Sequence, residues 1–291
     1  SPRRLPAAIG GTLNGVFAVR SLADVDAMQP AFKRGGHVLI IGGGYIGLEA
    51  AAVAAAKGLK VTLVEIADRI LQRVACTETS DYFRALHESQ GVRILEGVGL
   101  ERLTGDGQVT GAILSNGKAL EINFAIVGVG ILPDTSLAKA AGLKLNNGIE
   151  TNSQGQTSVP NIWAAGDCAS FPYQGGRIRL ESVPNAIDQA EVVAANMLGA
   201  ARDYIATPWF WSDQFDVKLQ IAGLNTGFTD IILRNSGSAR SHWYYKSTTL
   251  LAVDAMNDPR AYMVAKRLIQ AGKSADPITV ADPQSDLKVL L

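Results

Sequence analysis

A short stretch of sequence decides the fold: His37-Val38-Leu39-Ile40-Ile41-Gly42-Gly43-Gly44-Tyr45-Ile46-Gly47-Leu48-Glu49. The apolar run before the first glycine is typical of a fully buried strand in a parallel sheet. After the glycines, an alanine-rich segment predicts a helix that continues to Lys57 and ends at Gly58. A second apolar run, Lys60 to Glu65, predicts another strand. The order strand, glycine turn, helix, strand and terminal acid is the fingerprint of a dinucleotide-binding βαβ unit.

Three glycines occupy the G-x-G-x-x-G positions of this turn, and each has a physical role. Gly42 permits the tight turn, Gly44 lets the backbone approach a pyrophosphate, and Gly47 lets the helix pack closely on the strand. The helix N-terminus offers free N–H groups and a partial positive charge to phosphates. Glu65 can accept hydrogen bonds from both hydroxyls of an adenosine ribose and would repel a 2′-phosphate, so we expect NAD rather than NADP. The alternative, a glycine turn of any α/β protein, leaves the second strand and its acid unexplained.

The composition is that of a globular protein with large cores. The chain has 291 residues, enough for two or three domains, with 47% hydrophobic and 19% charged residues. Its formal net charge is zero, so nothing suggests a nucleic acid or a membrane surface as a partner. The most apolar window is the fingerprint itself, and because glycines and a glutamate interrupt it, we do not expect a membrane span.

Cysteine and histidine usage gives no sign of a disulfide or a metal site. Cys76 and Cys168 are far apart and belong to no C-x-x-C pair, which predicts two reduced thiols in a cytoplasmic protein. His37, His87 and His242 have no metal-ligand spacing with each other or with the cysteines, so we expect no metal.

Periodicity and turn residues predict further helices and strands. The helices cover 22–32, 78–90, 136–142, 184–198 and 259–271. The strands cover 92–97, 100–103, 109–114, 119–122, 124–129, 149–151, 159–165, 208–211, 216–222, 229–233, 242–245 and 250–255. Residues 1–20 are loop-like and end in a short apolar run, and 172–176 is predicted as a loop. The alternating segments within 100–122, with the turn Ser115-Asn116-Gly117-Lys118, indicate antiparallel pairing.

Several strings point to one family. They are Gly42-Gly43-Gly44-Tyr45-Ile46-Gly47-Leu48-Glu49, Val127-Gly128-Val129-Gly130-Ile131-Leu132-Pro133, Ala164-Ala165-Gly166-Asp167-Cys168-Ala169, Leu180-Glu181-Ser182-Val183-Pro184-Asn185-Ala186 and Pro208-Trp209-Phe210-Trp211-Ser212-Asp213-Gln214. Together they resemble the FAD-dependent pyridine nucleotide-disulfide oxidoreductases. More narrowly, the chain is similar to the NADH:ferredoxin reductases that serve bacterial cytochrome P450 and dioxygenase systems.

The resemblance implies an α/β chain with two Rossmann-type parts and an α+β end. We expect 1–21 to be the end of a first FAD-domain segment, 22–130 an NAD-binding Rossmann domain with an antiparallel insertion, 131–206 the second segment of the FAD domain, and 207–291 a C-terminal α+β interface domain. Family members begin with an FAD-binding Rossmann segment of their own. This chain resembles them from just after that segment, so we expect a truncated form that alone retains little FAD.

The resemblance places four residues at the flavin. Asp167, expected at the carboxyl end of a buried strand, would accept from the ribitol chain, although a capping aspartate is the alternative. Arg20 resembles the flavin-side arginine of the family, but it could equally be a surface charge. Val183 and Pro184 open the long helix whose N-terminus would favour negative charge on the flavin, and by spacing alone they are only a good helix start.

Further residues are assigned to the nicotinamide side by the same resemblance. Glu49 would face the nicotinamide, with a solvated helix residue as the alternative. Tyr45 and Ile46 are assigned to cofactor binding together with the glycines. Gly128 and Gly130 would lie beside the nucleotide, and the alternative for them is a domain hinge.

The aromatic string near residue 210 is the part most specific to the subgroup. Trp209 and Trp211 alternate along a predicted strand, which by itself is more typical of core residues. The resemblance favours Trp211 at the flavin edge, where a ferredoxin would dock. Relatives often carry an arginine where this chain has Glu191, so we expect a weakened or shifted contact with an acidic partner.

The implied activity is hydride transfer from NADH to FAD, followed by single-electron transfer to a [2Fe-2S] ferredoxin. No side chain is needed as an acid, base or nucleophile, because the cofactors supply the chemistry. The absence of a redox-active cysteine pair argues against the disulfide-reductase branch. A stand-alone NAD-binding module without flavin catalysis, and an NADH oxidase or rubredoxin reductase, are the alternatives.

Overall fold

The computed structural model describes residues 1–291. The chain forms two compact units. Unit 1 consists of 1–132 and 212–218, and unit 2 consists of 133–211 and 219–291.

Unit 1 is built on a five-stranded parallel sheet, as the βαβ fingerprint predicts. Its order is β1-β8-β2-β3-β4, formed by Val16–Ala18 (β1), Phe124–Val127 (β8), His37–Ile41 (β2), Lys60–Glu65 (β3) and Arg93–Glu96 (β4). The helices are Leu22–Arg34 (α1), Tyr45–Ala56 (α2) and Thr77–Ser89 (α3). The predicted α/β fold of this part is confirmed.

The sequence predicts the start of helix α1 correctly but does not predict the short strand β1 that precedes it. The predicted N-cap of α1 is confirmed, because Ser21 and Asp24 form a reciprocal capping box. The prediction of a loop-like start is incomplete, because β1 pairs in parallel with β8 at the edge of the sheet. A three-residue strand depends on its neighbour for its hydrogen bonds, and its own sequence is too short to show a period.

The predicted antiparallel insertion is confirmed. Leu100–Thr104 (β5), Gly111–Leu114 (β6) and Ala119–Glu121 (β7) form a three-stranded antiparallel sheet. Its apolar residues share one core with the parallel sheet: Leu39, Ile41, Val64, Leu103, Val109, Ala112, Leu114, Ile122, Ala125 and Val127. The insertion therefore covers one face of the dinucleotide-binding sheet.

Unit 2 begins with small elements and one long helix. Ser136–Ala140 (α4) precedes a three-stranded sheet of Ile149–Glu150 (β9), Ala169–Tyr173 (β10) and Gly176–Ile178 (β11), with β10 in the middle. The long helix is Val183–Met197 (α5), close to its predicted bounds.

Two predictions for this part are wrong. The segment 159–165 is not a strand: the Ile162 N–H closes a turn on the Val159 carbonyl at 3.0 Å, and pairing is limited to a bridge between Gln156 and Trp163. Pro160 has no N–H to give to a ladder, which explains the turn. The segment 172–176 is not a plain loop, because β10 and β11 pair there in a tight antiparallel hairpin.

The C-terminal part is a five-stranded sheet. Its order is β12-β13-β16-β15-β14, formed by Trp209–Gln214 (β12), Val217–Gly223 (β13), Thr249–Met256 (β16), Ala239–Lys246 (β15) and Asp230–Ser236 (β14). The predicted strands are all present, several of them longer than expected. Residues 212–218, the end of β12 and the start of β13, group with unit 1.

The helix Pro259–Gln270 (α6), capped by Asp258 as predicted, packs with Trp243, Tyr245 and Val253 in one core. A final helix, Pro277–Ala281 (α7), was not predicted. Buried Arg234 holds the end of α7 and the residues that follow this helix. It donates hydrogen bonds to the carbonyls of Val280, Asp282, Pro283 and Ser285. None of the helices has the length and apolar character that crossing a bilayer demands.

Candidate nucleotide and flavin sites

Backbone contacts shape the glycine turn of unit 1. Gly42 has φ +108°, and a Cβ there would lie 2.5 Å from the Gly128 carbonyl oxygen. A Cβ on Gly47 would lie 2.0 Å from the Gly42 carbonyl oxygen. Gly44 differs, because a Cβ there would meet nothing within 4 Å and its φ of −82° suits any residue. The fold itself requires the first and third glycines, whereas the second faces open space that a ligand backbone could fill.

The start of α2 is free to bind an anion. Gly44 is the N-cap and supplies no side-chain hydrogen bond to the first turn. Tyr45 and Ile46 follow it as the first helical residues, and Ile46 is 43% exposed. Unpaired N–H groups at a helix N-terminus attract phosphate oxygens. These features fit a dinucleotide pyrophosphate.

Glu65 is anchored beside the turn by two backbone hydrogen bonds. Its Oε2 accepts from the Gly43 N–H at 2.6 Å, and its Oε1 accepts from the Ala67 N–H at 2.8 Å. Each carboxylate oxygen has a second lone pair that can accept from a ribose hydroxyl. The sequence pointed to the carboxylate but gave no sign of these bonds, which fix its orientation before a ligand arrives.

Glu49 is half-buried one turn into α2, and it is not a freely solvated residue. Its Oε1 accepts a hydrogen bond from the Ser212 hydroxyl at 2.6 Å. Burial raises the pKa of this carboxyl, with a further upward contribution from Asp213, and the Ser212 hydrogen bond acts in the opposite direction. The Ser212 contact joins positions that are 163 residues apart, so no local pattern could have revealed it.

The second glycine pair, Gly128 and Gly130, follows strand β8, which lies between β1 and β2 in the sheet. Gly128 donates to the Ile41 carbonyl at 2.8 Å, and a Cβ on it would come within 3.3 Å of the Gly47 nitrogen. Gly130 has φ +95° and lies near Arg73, whose guanidinium is 3.9 Å from the position a Cβ would take. Arg73 was not singled out from the sequence, and it adds a cation beside this turn. The pair therefore has a packing role at Gly128 and a backbone role at Gly130.

The turn around Asp167 in unit 2 differs from the sequence-based expectation. Gly166–Cys168 is a single 3-10 turn that precedes β10, so Asp167 does not follow a buried strand. Its half-buried carboxylate accepts no hydrogen bond, and its backbone carbonyl accepts from Arg179 at 3.0 Å. The Gly166 N–H donates to Gln189 Oε1 at 2.8 Å, whereas the buried Nε2 of Gln189 has no partner. A free carboxylate and a buried unpaired amide suit a polar ligand such as the flavin ribitol and ring.

The other predicted flavin-side residues lie at exposed positions. Val183 is the first residue of α5 and is 60% exposed, with Ser182 as the N-cap and Pro184 following in the first turn. Arg20, in unit 1, is exposed, and its backbone N–H donates to Asp24. Their assignment to the flavin remains a prediction.

Trp209 and Trp211 form an aromatic pair in which the two side chains differ in burial. Their ring centroids are 5.7 Å apart, and Trp209 also contacts Tyr262 at 6.2 Å. The Lys266 ammonium lies 4.3 Å above the Trp209 ring, a cation–π contact. Trp211 is 37% exposed. Trp209 is therefore a partly buried residue that packs against the core of unit 2, and Trp211 is the member of the pair that faces outward.

These sites correspond to a known class of protein. Residues 1–190 match the pyridine nucleotide-disulphide oxidoreductase family, and residues 209–291 match the reductase C-terminal domain. The chain belongs to the pyridine nucleotide-disulphide oxidoreductase family.

Its relatives narrow the class to ferredoxin reductases. The chain is 42% identical over 295 residues to a ferredoxin--NAD(P)(+) reductase of Sphingomonas sp, which covers 99% of this chain and 71% of the relative. The structure is similar to that of the ferredoxin reductase for the CYP199A2 system from Rhodopseudomonas palustris, with 39% identity, a TM-score of 0.95, and coverage of 99% of this chain and 72% of that one. It is also similar to putidaredoxin reductase in its covalent complex with putidaredoxin, with 37% identity, a TM-score of 0.94 and the same coverage.

Proposed function

We propose that this chain carries the NADH-binding and partner-facing parts of an FAD-dependent NADH:ferredoxin reductase that delivers electrons to a [2Fe-2S] ferredoxin of a cytochrome P450 or dioxygenase system. The chemistry that FAD supplies when bound is acceptance of a hydride and release of single electrons. The protein binds, orients and shields the reactants. No side chain has to act as an acid or a base.

The glycine turn with its anchored acid carries this proposal. Gly44 leaves open space beside a free helix N-terminus, and Glu65 is held next to it by the Gly43 and Ala67 N–H groups. A pyrophosphate and an adenosine ribose need these two features side by side. The fixed negative charge favours a ribose with a free 2′-hydroxyl over one with a 2′-phosphate.

The flavin-side assignments form part of the same proposal. The unpaired Asp167 carboxylate would accept from ribitol hydroxyls, and the unpaired Gln189 amide would donate to a carbonyl or hydroxyl of the cofactor. Val183 and Arg20 would lie on the flavin ring and its surroundings. A stand-alone NAD-binding module has no use for an unpaired buried amide beside an unpaired carboxylate, so the reductase explains more of the molecule.

We also propose the domain division expected from the sequence, with 22–130 for NAD, 1–21 and 131–206 belonging to an FAD domain, and 207–291 facing the partner. Cys76 and Cys168 are both free thiols. Unpaired cysteines are typical of a reducing compartment, and a cytoplasmic location is part of the proposal.

The test is a titration of the 291-residue chain with NADH and with NADPH, in which binding is monitored by tryptophan fluorescence. We expect NADH to bind about tenfold tighter or more, since a hydrogen bond to a charged group is worth roughly 1.5–3 kcal/mol. Equal affinity for the two nucleotides would contradict the role of Glu65. Titration with oxidised [2Fe-2S] ferredoxin in low salt tests the partner, and an absence of any salt-sensitive binding would contradict the reductase.

A further inference from the structure

The string Ser212-Asp213-Gln214 contributes more to unit 1 than to a partner surface. Side chains alternate along β12, so Ser212 and Gln214 point to one face and are 1% and 0% exposed. Trp211 and Asp213 point to the other face and are exposed. By its contacts, the segment 212–218 belongs with the dinucleotide-binding unit.

The two buried residues complete a chain of hydrogen bonds that joins two helices of unit 1. The Ser212 hydroxyl donates to Glu49 Oε1 on α2 at 2.6 Å. The Gln214 amide donates to the Ser212 hydroxyl oxygen at 3.1 Å. Gln214 Oε1 is 2.9 Å from Nε2 of His87 on α3. All of these distances lie within the range of ordinary hydrogen bonds.

The hydrogen bonds of this series all run in one direction, from His87 to Glu49. Burial lowers the pKa of His87, so its ring is neutral and carries a single N–H. Because the nearest atom is the carbonyl oxygen of Gln214, that N–H is on Nε2, and Nδ1, which has no partner, is the bare nitrogen. Every donor then points toward Glu49, so the chain ends on an acceptor and favours the carboxylate over the carboxylic acid. Glu49 Oε2 accepts no hydrogen bond within the protein.

We infer that His87, Gln214 and Ser212 are positioning residues that hold Glu49 as an oriented carboxylate in the dinucleotide site, with Oε2 left to accept an N–H from the carboxamide of bound NADH. Glu49 lies on the same helix whose N-terminus borders the open space at Gly44. The identity of the ligand rests on the proposed function. The hydrogen-bond chain itself does not.

Two neighbouring residues, Ser212 and Asp213, have opposite effects on the Glu49 pKa, so substitutions at the two positions should shift it in opposite directions. The Ser212 hydrogen bond lowers the Glu49 pKa, whereas the charge of Asp213 raises it. Asp213 is exposed, and it forms an ion pair at 3.6 Å with Lys218, whose side chain is also exposed. At the far end of the chain His87 is neutral, so it adds no charge. Ser212→Ala should therefore raise the Glu49 pKa, and Asp213→Asn should lower it.

The first readout needs no nucleotide. The carboxyl carbon of Glu49 is followed by ¹³C NMR during a pH titration of the full chain, with Glu49→Gln to assign the signal. We expect the Glu49 midpoint to move to higher pH in Ser212→Ala and to lower pH in Asp213→Asn. A smaller upward shift of the Glu49 midpoint is expected in His87→Phe, which removes the donor farthest from Glu49 in the hydrogen-bond series. Unchanged midpoints in folded Ser212→Ala and His87→Phe would overturn the inference.

The second readout is the dissociation constant for NADH as a function of pH. We expect Ser212→Ala to weaken binding about three- to tenfold at pH 7 and to shift the loss of binding at acid pH upward. Asp213→Asn should shift that loss downward. If the wild-type chain does not bind NADH, the proposed function fails while the NMR result still decides the hydrogen-bond chain. If NADH binds and neither variant alters the pH profile, the positioning role fails.

Folding is checked separately by circular dichroism and urea unfolding. Asp213→Asn removes only a surface charge and should keep the wild-type stability. Ser212→Thr retains a hydroxyl, so it should restore the wild-type pH profile if Ser212→Ala changes it. A Thr variant that is folded but behaves like the Ala variant would mean that the hydroxyl is not the cause, which contradicts the inference.

Discussion

Two glycine turns in this molecule have similar backbones but are built differently. Gly42 and Gly166 both have positive φ, at +108° and +76°. The turn at Gly42 is packed against other backbone, with the Gly128 carbonyl directly behind it. The turn at Gly166 leaves a Cβ 3.3 Å from the Cβ of Ala186, and it is held by side chains, namely Gln189 and Arg179. A turn of the first kind should be most sensitive to an added atom, whereas one of the second kind should be most sensitive to the loss of a side chain.

The largest effect should come from adding an atom to the first turn. In Gly47→Ala the new Cβ would lie 2.0 Å from the Gly42 carbonyl oxygen. The helix must move away from the strand, so we expect the free energy of unfolding to fall by about 3 kcal/mol and NADH binding to be lost. Urea unfolding and fluorescence titration measure the two effects.

Gly44→Ala is the matched control, because the added Cβ meets no protein atom. It should cost about 1 kcal/mol or less through the weaker N-cap, yet still impair NADH binding, since the Cβ occupies ligand space. If the two variants lose the same stability, close backbone packing does not distinguish these glycines.

The next prediction concerns Glu65, the side chain on which the first turn does depend. Glu65→Ala should weaken NADH binding by about 1.5–3 kcal/mol and reduce the preference over NADPH, because the charged acceptor is gone. Glu65→Gln keeps an acceptor for the Gly43 or Ala67 N–H but loses the charge. It should retain more stability than the alanine variant while also narrowing the preference. An unchanged NADH to NADPH ratio in both variants would exclude Glu65 as the discriminating residue.

Removing a side chain from the second turn should have a comparable or smaller effect. Gln189→Leu leaves the Gly166 N–H without an acceptor in a buried place, so the unfolding free energy should fall by about 1–3 kcal/mol. Gln189→Glu keeps an acceptor oxygen, and Asp188→Asn is an exposed control on the same helix. Equal stability of the leucine variant and the wild type would show that the turn does not depend on this contact.

The smallest effect is expected at the exposed Glu191 of α5. If an acidic ferredoxin docks beside Trp211, Glu191→Arg should raise its association rate a few-fold at low salt, and screening should remove the gain. Stopped-flow reduction of the ferredoxin by the FAD-loaded reductase at two ionic strengths measures this. NADH oxidation by ferricyanide should stay the same. An unaltered ferredoxin rate in the folded variant would place the docking surface elsewhere.

The contrast between the turns also explains what the sequence could predict. At Gly42 and Gly47 the reason for glycine is local and steric, so the pattern revealed the strand, turn and helix correctly. At 159–178 the structure depends on distant hydrogen bonds, such as those from Arg177 to the Thr151 and Ser170 carbonyls. The apolar run at 159–165 could not reveal that Pro160 lies in a turn. The hydrogen-bond partner of Glu49 was invisible for the same reason, since Ser212 is 163 positions away in the sequence.

The alternation along β12 has a practical consequence for protein engineering. Positions 211 and 213 face outward, whereas 212 and 214 are committed to the interior of the dinucleotide-binding unit. A mutant library aimed at a new electron acceptor should therefore randomise only positions 211 and 213 of this strand. Such a library would vary the outer surface while every member keeps the buried hydrogen bonds from Gln214 and Ser212 to Glu49, and variants changed at position 212 or 214 would lose function for reasons unrelated to the acceptor.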